Sequence, residues 1–99
     1  MRIDWRPLAL DDLLAIVEYI AVESLPAAYD VQDNIERQVS ALRDHPELGR
    51  RGRVGGTREL IISGFEYVVA YRLTGDCIEV LRVLHTSRQW PCSILQLES

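Results

Sequence analysis

The sequence of 99 residues contains no lysine, so all eleven of its basic side chains are arginines. Arginine stays charged in proteins and presents a planar fork of N–H donors that matches carboxylates and phosphates. General-base chemistry by a lysine is therefore excluded. Any positively charged site in this protein has to be built from guanidinium groups.

Cysteine is scarce as well, and long apolar runs are missing. Cys77 and Cys92 are too few for a disulfide framework, and neither lies in a CxxC or Cys/His spacing that suggests a metal. No stretch approaches the roughly 20 apolar residues of a membrane span, and the N-terminal residues lack the apolar segment of a signal peptide. We therefore expect a cytoplasmic protein with structural thiols, without metal, cofactor or membrane contact.

The net charge of −4 conceals an uneven distribution of charge. Residues 1–47 carry four arginines and ten acidic residues, a net charge of −6, whereas residues 48–99 carry seven arginines and five acidic residues, a net charge of +2. The second half is the half expected to meet an anionic partner. The composition is that of an ordinary globular protein, and the length predicts one domain, residues 1–99.

Hydrophobic periodicity predicts a short strand and two helices in the acidic half. Residues 3–5 alternate between apolar and polar side chains, as a strand does. Residues 9–23 repeat apolar positions on one helical face, and Tyr19 in this helix is expected to pack in the core or the hairpin. A second helix opens with Pro26 in its first turn and ends before His45. The short break between the helices predicts an antiparallel hairpin.

The basic half begins with a loop and continues with strands. Residues 48–57 contain four glycines and three arginines, which predicts a flexible loop with solvated arginines. Strands are predicted over residues 58–63, 65–73 and 77–85, with a hairpin turn at residues 74–76. The last strand is apolar on both faces, as a central strand is. The order β-α-α-β-β-β predicts an α+β fold, with a helical hairpin packed on a mostly antiparallel sheet.

Over nearly its whole length, the sequence resembles the RelE/ParE family of toxins from bacterial type II toxin–antitoxin systems. The resemblance rests on the order of the elements and on three segments, HPELGRRGRVGGTREL, YVVAYRLTGD and, above all, VLRVLHTSRQWP. It implies a growth inhibitor that a ParD- or RelB-like antitoxin neutralises in a hetero-oligomer. It leaves two targets open, because the ParE branch poisons DNA gyrase whereas other members cut messenger RNA on the ribosome.

Cleavage of RNA at a 2′-hydroxyl requires a proton acceptor and a cation that stabilises the phosphorane. His85, Arg82 and Arg88 are the candidates for these catalytic roles. In ribosome-dependent relatives, an arginine follows the first tyrosine of the strand that reads YVVAY here, and a distal tyrosine follows the last strand. Val68 occupies the position of that arginine, and the distal position falls near residues 91–92. We therefore expect a degraded or absent nuclease site, and the acidic net charge favours the same interpretation.

Contacts with the antitoxin or the target are expected from Arg58, Arg72, Arg82 and Trp90. The resemblance places Arg58, in the Gly-x-Arg-x-Leu segment, beside the antitoxin groove. Trp90 is suited to stacking on a base. These expectations keep three functions open: a toxin that binds gyrase, which we favour; a ribosome-dependent mRNA interferase; and a non-toxic module that binds the antitoxin as a co-repressor.

Several of these candidates also have a purely structural interpretation. His85, at the end of an apolar strand, is expected to be a structural hydrogen-bonding histidine. Arg82 is expected to pair with a carboxylate such as Glu66 or Glu79. Arg58 is expected to form a surface ion pair with the acidic residue that follows it.

Overall fold

The computed structural model describes residues 1–86 of the chain. Its elements, in order, are β1 (Arg2–Trp5), α1 (Pro7–Ala21), α2 (Leu25–Ser40) with a 3-10 turn (Ala41–Arg43), β2 (Arg50–Arg51), β3 (Arg58–Ile61), β4 (Tyr67–Thr74) and β5 (Cys77–His85). The five strands form one sheet in the order β1-β5-β4-β3-β2. Among the described strands, β1 and β5 pair in parallel, and the other three pairs are antiparallel. The predicted α+β fold, with helices on a mostly antiparallel sheet, is confirmed.

Proline and serine set the helix boundaries. Helix α1 begins at Pro7 rather than at residue 9, because proline has no N–H to lose in the first turn of a helix. The side chain of Ser24 accepts a hydrogen bond from the backbone N–H of Ala27 at 3.2 Å and so caps α2. Only residues 22–24 separate the helices, which pack against each other as the predicted hairpin. Within residues 1–86, neither helix is long and apolar enough to cross a membrane.

The hydrophobic core lies between the helical hairpin and one face of the sheet. It contains buried side chains from both helices and from strands β3, β4 and β5, among them Leu13, Val31, Ile35, Val39, Leu60, Val69, Tyr71, Ile78 and Val80. Strand β5 lies between β1 and β4, and its apolar residues are buried along its whole length. The prediction of a central strand that is apolar on both faces is therefore confirmed.

Strand β5 contains a bulge that changes which side chains face the helices. Tyr71 lies opposite Val80, whereas the preceding residue of β4 lies opposite Arg82, so Leu81 has no partner across the ladder. A bulge of this kind shifts the strict alternation of a strand by one residue. As a result, Val80 and Val83 both contribute to the core beneath the helices although they are three positions apart.

The basic loop is more ordered than the sequence predicts. Residues Arg50–Arg51 form the edge strand β2, and the carboxylate of Glu59 in β3 is only 2% exposed. This carboxylate accepts hydrogen bonds from Arg50 Nη2 at 3.2 Å and from the backbone N–H of Arg53 at 2.8 Å, and Arg53 Nε lies 3.4 Å away. A buried carboxylate needs such partners. Arg50 and Arg53 remain solvated as expected, with 56% and 49% of their side chains exposed, but their contacts with Glu59 order a loop that the sequence predicts to be flexible.

Arg58 and Tyr71 fix the segment that precedes β2. The buried hydroxyl of Tyr71 donates to the carbonyl of Pro46 at 2.8 Å and accepts from the N–H of Gly49 at 2.9 Å. Arg58 Nη1 donates to the carbonyl of Gly49 at 2.8 Å. The expected Arg58–Glu59 pair is wrong, because adjacent residues of a strand point to opposite faces of the sheet. A Cβ at Gly49 would lie 2.7 Å from the tyrosine ring, so this close approach requires glycine.

Replacing Tyr71 by phenylalanine tests the contribution of this hydroxyl to stability. Burial raises the pKa of Tyr71, so the phenol stays protonated and donates at neutral pH. Tyr71→Phe leaves the Pro46 carbonyl and the Gly49 N–H without their partner, and we expect a loss of about 1–3 kcal/mol in the free energy of unfolding in urea. Tyr29→Phe, at an exposed tyrosine of α2, is the control and should change stability by less than about 0.5 kcal/mol. Equal stabilities of the two variants would contradict this account.

Candidate functional site

Asp12 of α1 joins the helical hairpin to the edge of β5. Strand β1 ends at Trp5, opposite Val80, so within residues 1–86 the following residues of β5 have no strand neighbour on that side. Asp12 Oδ2 accepts hydrogen bonds from the backbone N–H of Val83 at 3.0 Å and from Arg82 Nε at 2.7 Å. Asp12 Oδ1 accepts from Arg82 Nη2 at 3.0 Å. The carboxylate therefore supplies the acceptor that a longer β1 would have supplied.

The Asp12–Arg82 pair is a bidentate ion pair with little access to water. Each side chain is only 13% exposed, and the hydrogen bond to Asp12 raises the pKa of Arg82 further against the opposing effect of burial. The expectation that Arg82 pairs with Glu66 or Glu79 is wrong, because both of those carboxylates pair with other residues. The partner of Arg82 comes instead from a helix 70 positions earlier in the sequence.

Arg72 is bound to a carboxylate on the neighbouring strand. It lies directly opposite Glu79 in the β4–β5 ladder, and Arg72 Nε donates to Glu79 Oε1 at 2.6 Å. The hydroxyl of Thr74 donates to the same oxygen at 3.0 Å. The hydrogen bond from Arg72 is the main reason why the pKa of Glu79 is lowered. Like Arg82, Arg72 carries a charge that a carboxylate already balances.

His85 lies at the end of β5 beside an acidic and an aromatic side chain. His85 Nε2 is 3.2 Å from Glu66 Oε2. The imidazole packs edge-on against the ring of Tyr67, with 5.6 Å between the ring centroids and 87° between the planes. The contact with Glu66 agrees with the hydrogen-bonding role predicted for His85, although the imidazole remains partly exposed.

A cleft of 250 Å³, which we call the aromatic cleft, lies between α1 and the ends of β4 and β5. Its lining consists of Asp12, Ala15, Ile16, Tyr19, Tyr67, Val83 and His85. Tyr19 is 81% exposed, so the expectation that it packs in the core or the hairpin is wrong. Arg82 and Arg72 do not line this cleft, so among the described residues the predicted proton acceptor His85 does not meet the predicted cation Arg82 in it.

A second cleft, of 460 Å³, lies beside β3 and the edge strand β2. We call it the arginine cleft, because Arg51, Arg53 and Arg58 line it together with residues 55–57. The glycines at 55 and 56 have open space where a Cβ would stand, so the loop leaves the guanidinium groups accessible. This is the more basic of the two clefts.

The predicted site residues thus occupy separate places in the fold. Arg58 lies in the arginine cleft, Arg72 in a cross-strand pair, Arg82 in the buried pair with α1, and His85 in the aromatic cleft. The predictions for Arg88 and Trp90 concern positions outside the described residues. Within residues 1–86, no three His, Cys, Asp or Glu side chains come together in a way that could hold a metal ion.

Two helices on one face of a mixed five-stranded sheet form a small α+β domain. The family model described as “ParE toxin of type II toxin-antitoxin system, parDE” matches residues 3–90. The chain therefore belongs to the ParE toxin family.

Individual relatives agree with this assignment. “Putative toxin Y4kP” of Sinorhizobium fredii is 40% identical over 90 residues, which cover 91% of this chain and 93% of the relative. “Toxin RelE2” of Caulobacter vibrioides is 30% identical over 87 residues, which cover 88% of this chain and 97% of the relative. A solved chain of the chromosomal ParDE TA system from P. aeruginosa superposes with a TM-score of 0.80 at 28% identity, covering 88% of this chain and 97% of that one.

The structure predicts that Arg82 contributes mainly to stability. Arg82→Met leaves the carboxylate of Asp12 buried without its cation, and we expect a loss of roughly 3–5 kcal/mol in the free energy of unfolding. Arg2→Met removes an exposed arginine that lies 3.8 Å from Asp76, and this control should cost less than about 1 kcal/mol. Urea unfolding followed by circular dichroism measures both. A loss no larger than that of the control would refute a structural role for Arg82.

Proposed function

We propose that this chain is the growth-inhibiting toxin of a type II toxin–antitoxin pair and that it acts by binding DNA gyrase rather than by cutting messenger RNA. In this proposal, residues 1–99 form one toxin domain that works in the cytoplasm, where its target lies. The observation that carries the choice of target is the pairing of Arg72, Arg82 and His85, each of which is engaged by a carboxylate.

Charge balance is the reason why this pairing disfavours nuclease chemistry. A phosphorane gains stability from cations whose N–H donors point at it before the reaction starts. Arg82 directs Nε and Nη2 at Asp12, and Arg72 directs Nε at Glu79, so these donors are already used. To bind a phosphate, either arginine would have to break its ion pair with a carboxylate that has few other partners. Substrate binding would then have to compensate for an unpaired acidic group.

The sheet around position 68 supports the same choice. Val68, which stands where ribosome-dependent relatives carry an arginine, is 1% exposed and lies opposite the buried Leu84. At this position of the sheet, the side chain is therefore apolar and buried, where the ribosome-dependent relatives have a cation. A net charge of −4 further reduces any attraction to ribosomal phosphates.

The RNA-cleaving alternative retains one specific argument, because a relative 30% identical to this chain carries the name “Toxin RelE2”. In that alternative, His85, Arg82 and Arg88 take the catalytic roles. It requires Arg82 to act while it is paired with Asp12. A non-toxic co-repressor would share the fold and the antitoxin but would leave growth unaffected.

The arginine cleft is the site at which we propose that the antitoxin binds. Arg51, Arg53 and Arg58 line it, and the carboxylate of Glu59, which binds the loop, is buried beneath. Guanidinium groups in such a cleft match the carboxylates of an acidic antitoxin segment. Arg72 and Trp90 remain proposed contacts with the antitoxin or the target.

The target is tested by assaying both activities of one preparation. Purified chain should inhibit supercoiling by DNA gyrase or trap its cleaved complex, and it should leave messenger RNA on translating ribosomes intact. Expression of the chain alone in bacteria should stop growth and induce DNA-damage signalling. Discrete cuts in ribosome-bound messenger RNA that disappear in His85→Ala, with gyrase unaffected, would establish the interferase instead. Normal growth at high expression would establish the co-repressor.

The antitoxin site is tested with the antitoxin encoded beside the chain's own gene. Arg58→Ala should raise the dissociation constant of the complex by about tenfold or more, which corresponds to the loss of one interfacial charged contact. Arg2→Ala, at an exposed arginine on the far strand β1, is the control and should bind like the parent chain. Calorimetric titration of both variants, after thermal melts have shown that they fold, decides the matter. Unchanged affinity in Arg58→Ala would remove this residue from the interface.

A further inference from the structure

The aromatic cleft is lined by three rings, those of Tyr19, Tyr67 and His85. Tyr19 projects from α1 with 81% of its surface exposed, while Tyr67 and His85 are partly buried on the sheet. An exposed tyrosine beside two other rings is typical of a binding surface rather than of a core, because tyrosine offers a large rigid surface at a low entropic cost. The residues that line the cleft are therefore suited to binding a partner.

The shape of the cleft matches a long side chain with a flat polar end. Its lining includes the small or aliphatic residues Ala15, Ile16 and Val83, which can contact methylene groups. Tyr67 and His85 stand perpendicular to each other, and Tyr19 comes from the opposing helix. Aromatic faces that line one cleft favour a cation, and most often a guanidinium, over a neutral group of the same shape.

The charges around the cleft favour a cation as well. The carboxylate of Asp12 is balanced by Arg82, but the exposed carboxylate of Glu66 lies beside His85 at the edge of the cleft. Helix α1 carries three acidic residues and no basic residue. Burial is the main reason why the pKa of Tyr67 is raised, and the nearby carboxylate of Glu66 raises it further. The nearby carboxylate of Glu66 makes this cleft less suited to a phosphate group than the arginine cleft is.

We propose that the aromatic cleft is a receptor for an arginine side chain of a partner protein. The stem of that arginine contacts Ala15, Ile16 and Val83, and its guanidinium lies against the rings of Tyr19 and Tyr67, within reach of Glu66. The site is distinct from the arginine cleft, so the two clefts select side chains of opposite charge. The proposal does not depend on whether gyrase or the ribosome is the target.

The probe for this site is the capped amino acid N-acetyl-arginine N-methylamide, added to the full-length chain and followed by the ring resonances of Tyr19 and Tyr67 in NMR spectra. The matched probe is the citrulline analogue, which has the same shape without the charge. The arginine probe should shift both tyrosines and bind at least about fivefold more tightly than the citrulline probe, as a cation–π contact requires.

Variants then separate the rings from the rest of the surface. Tyr19→Ala should weaken binding of the arginine probe by about fivefold or more, whereas Tyr19→Phe should bind like the parent chain because the ring is retained. Tyr29→Ala, at an exposed tyrosine of α2 outside the cleft, is the control for general loss of an aromatic side chain. Both positions are exposed, so the three variants should fold.

Three results would overturn the proposal. The first is equal binding of the arginine and citrulline probes. The second is tighter binding of adenosine monophosphate than of the arginine probe at the same tyrosine resonances, which would identify a nucleotide site. The third is the absence of any shift with roughly 50 mM arginine probe, where even a millimolar site would be saturated.

Discussion

The carboxylate of Asp12 is the contact on which the arrangement of this toxin depends. Strand β5 is longer than its parallel neighbour β1, so beyond Val80 no other described strand pairs with this edge of β5, which lies next to the largely buried Arg82. One carboxylate oxygen of Asp12 accepts a hydrogen bond from the backbone N–H of Val83, and both oxygens accept from the guanidinium of Arg82. Because each hydrogen bond fixes a direction as well as a distance, α1 is held at one rotation and one height above the sheet.

The orientation of α1 has a direct consequence for the surface of the molecule. Asp12, Ile16 and Tyr19 lie at spacings of four and three residues, which places them on one face of the helix. The face that carries Asp12 to the strand edge therefore also carries Tyr19 to Tyr67 and His85. The same contact that neutralises Arg82 builds the aromatic cleft. Stability and the proposed recognition site are thus linked through one carboxylate.

Much of the fold follows from the sequence because the signals are local. Helical periodicity, the proline in the first turn of each helix and the doubly apolar β5 all act within a few residues, and the predicted elements lie within a few residues of those observed. The two-residue strand β2 is too short to show any periodicity. The position of Asp12 near the start of a helix predicts only a contact with the helix dipole. Its pairing with Arg82, like that of Glu59 with Arg50 and Arg53, depends on how distant elements pack.

The candidate site is harder to predict for the same reason. The sequence points to arginine and histidine as the candidate functional residues, but their roles depend on which carboxylate lies beside each of them. The sequence shows which residues are acidic but not where their carboxylates lie in the folded protein. The bulge at Leu81 adds a further difficulty, because it breaks the alternation from which the faces of β5 would be read. The neighbours of Arg82 and His85 therefore emerge only from the three-dimensional structure.

The central claim is that the paired charges of this toxin support its structure and that it acts by binding. The double variant Asp12→Asn/Arg82→Met tests it most directly. This variant removes both charges together, and the asparagine oxygen still accepts from the Val83 N–H. The measurement is inhibition of DNA gyrase supercoiling by the purified variant, after its folding has been verified by circular dichroism. The account predicts inhibition within about threefold of the parent chain, as for the loss of an interaction not made with the target. A folded variant that has lost activity by about a hundredfold or more would show that the guanidinium of Arg82 acts on the target itself and would contradict the account.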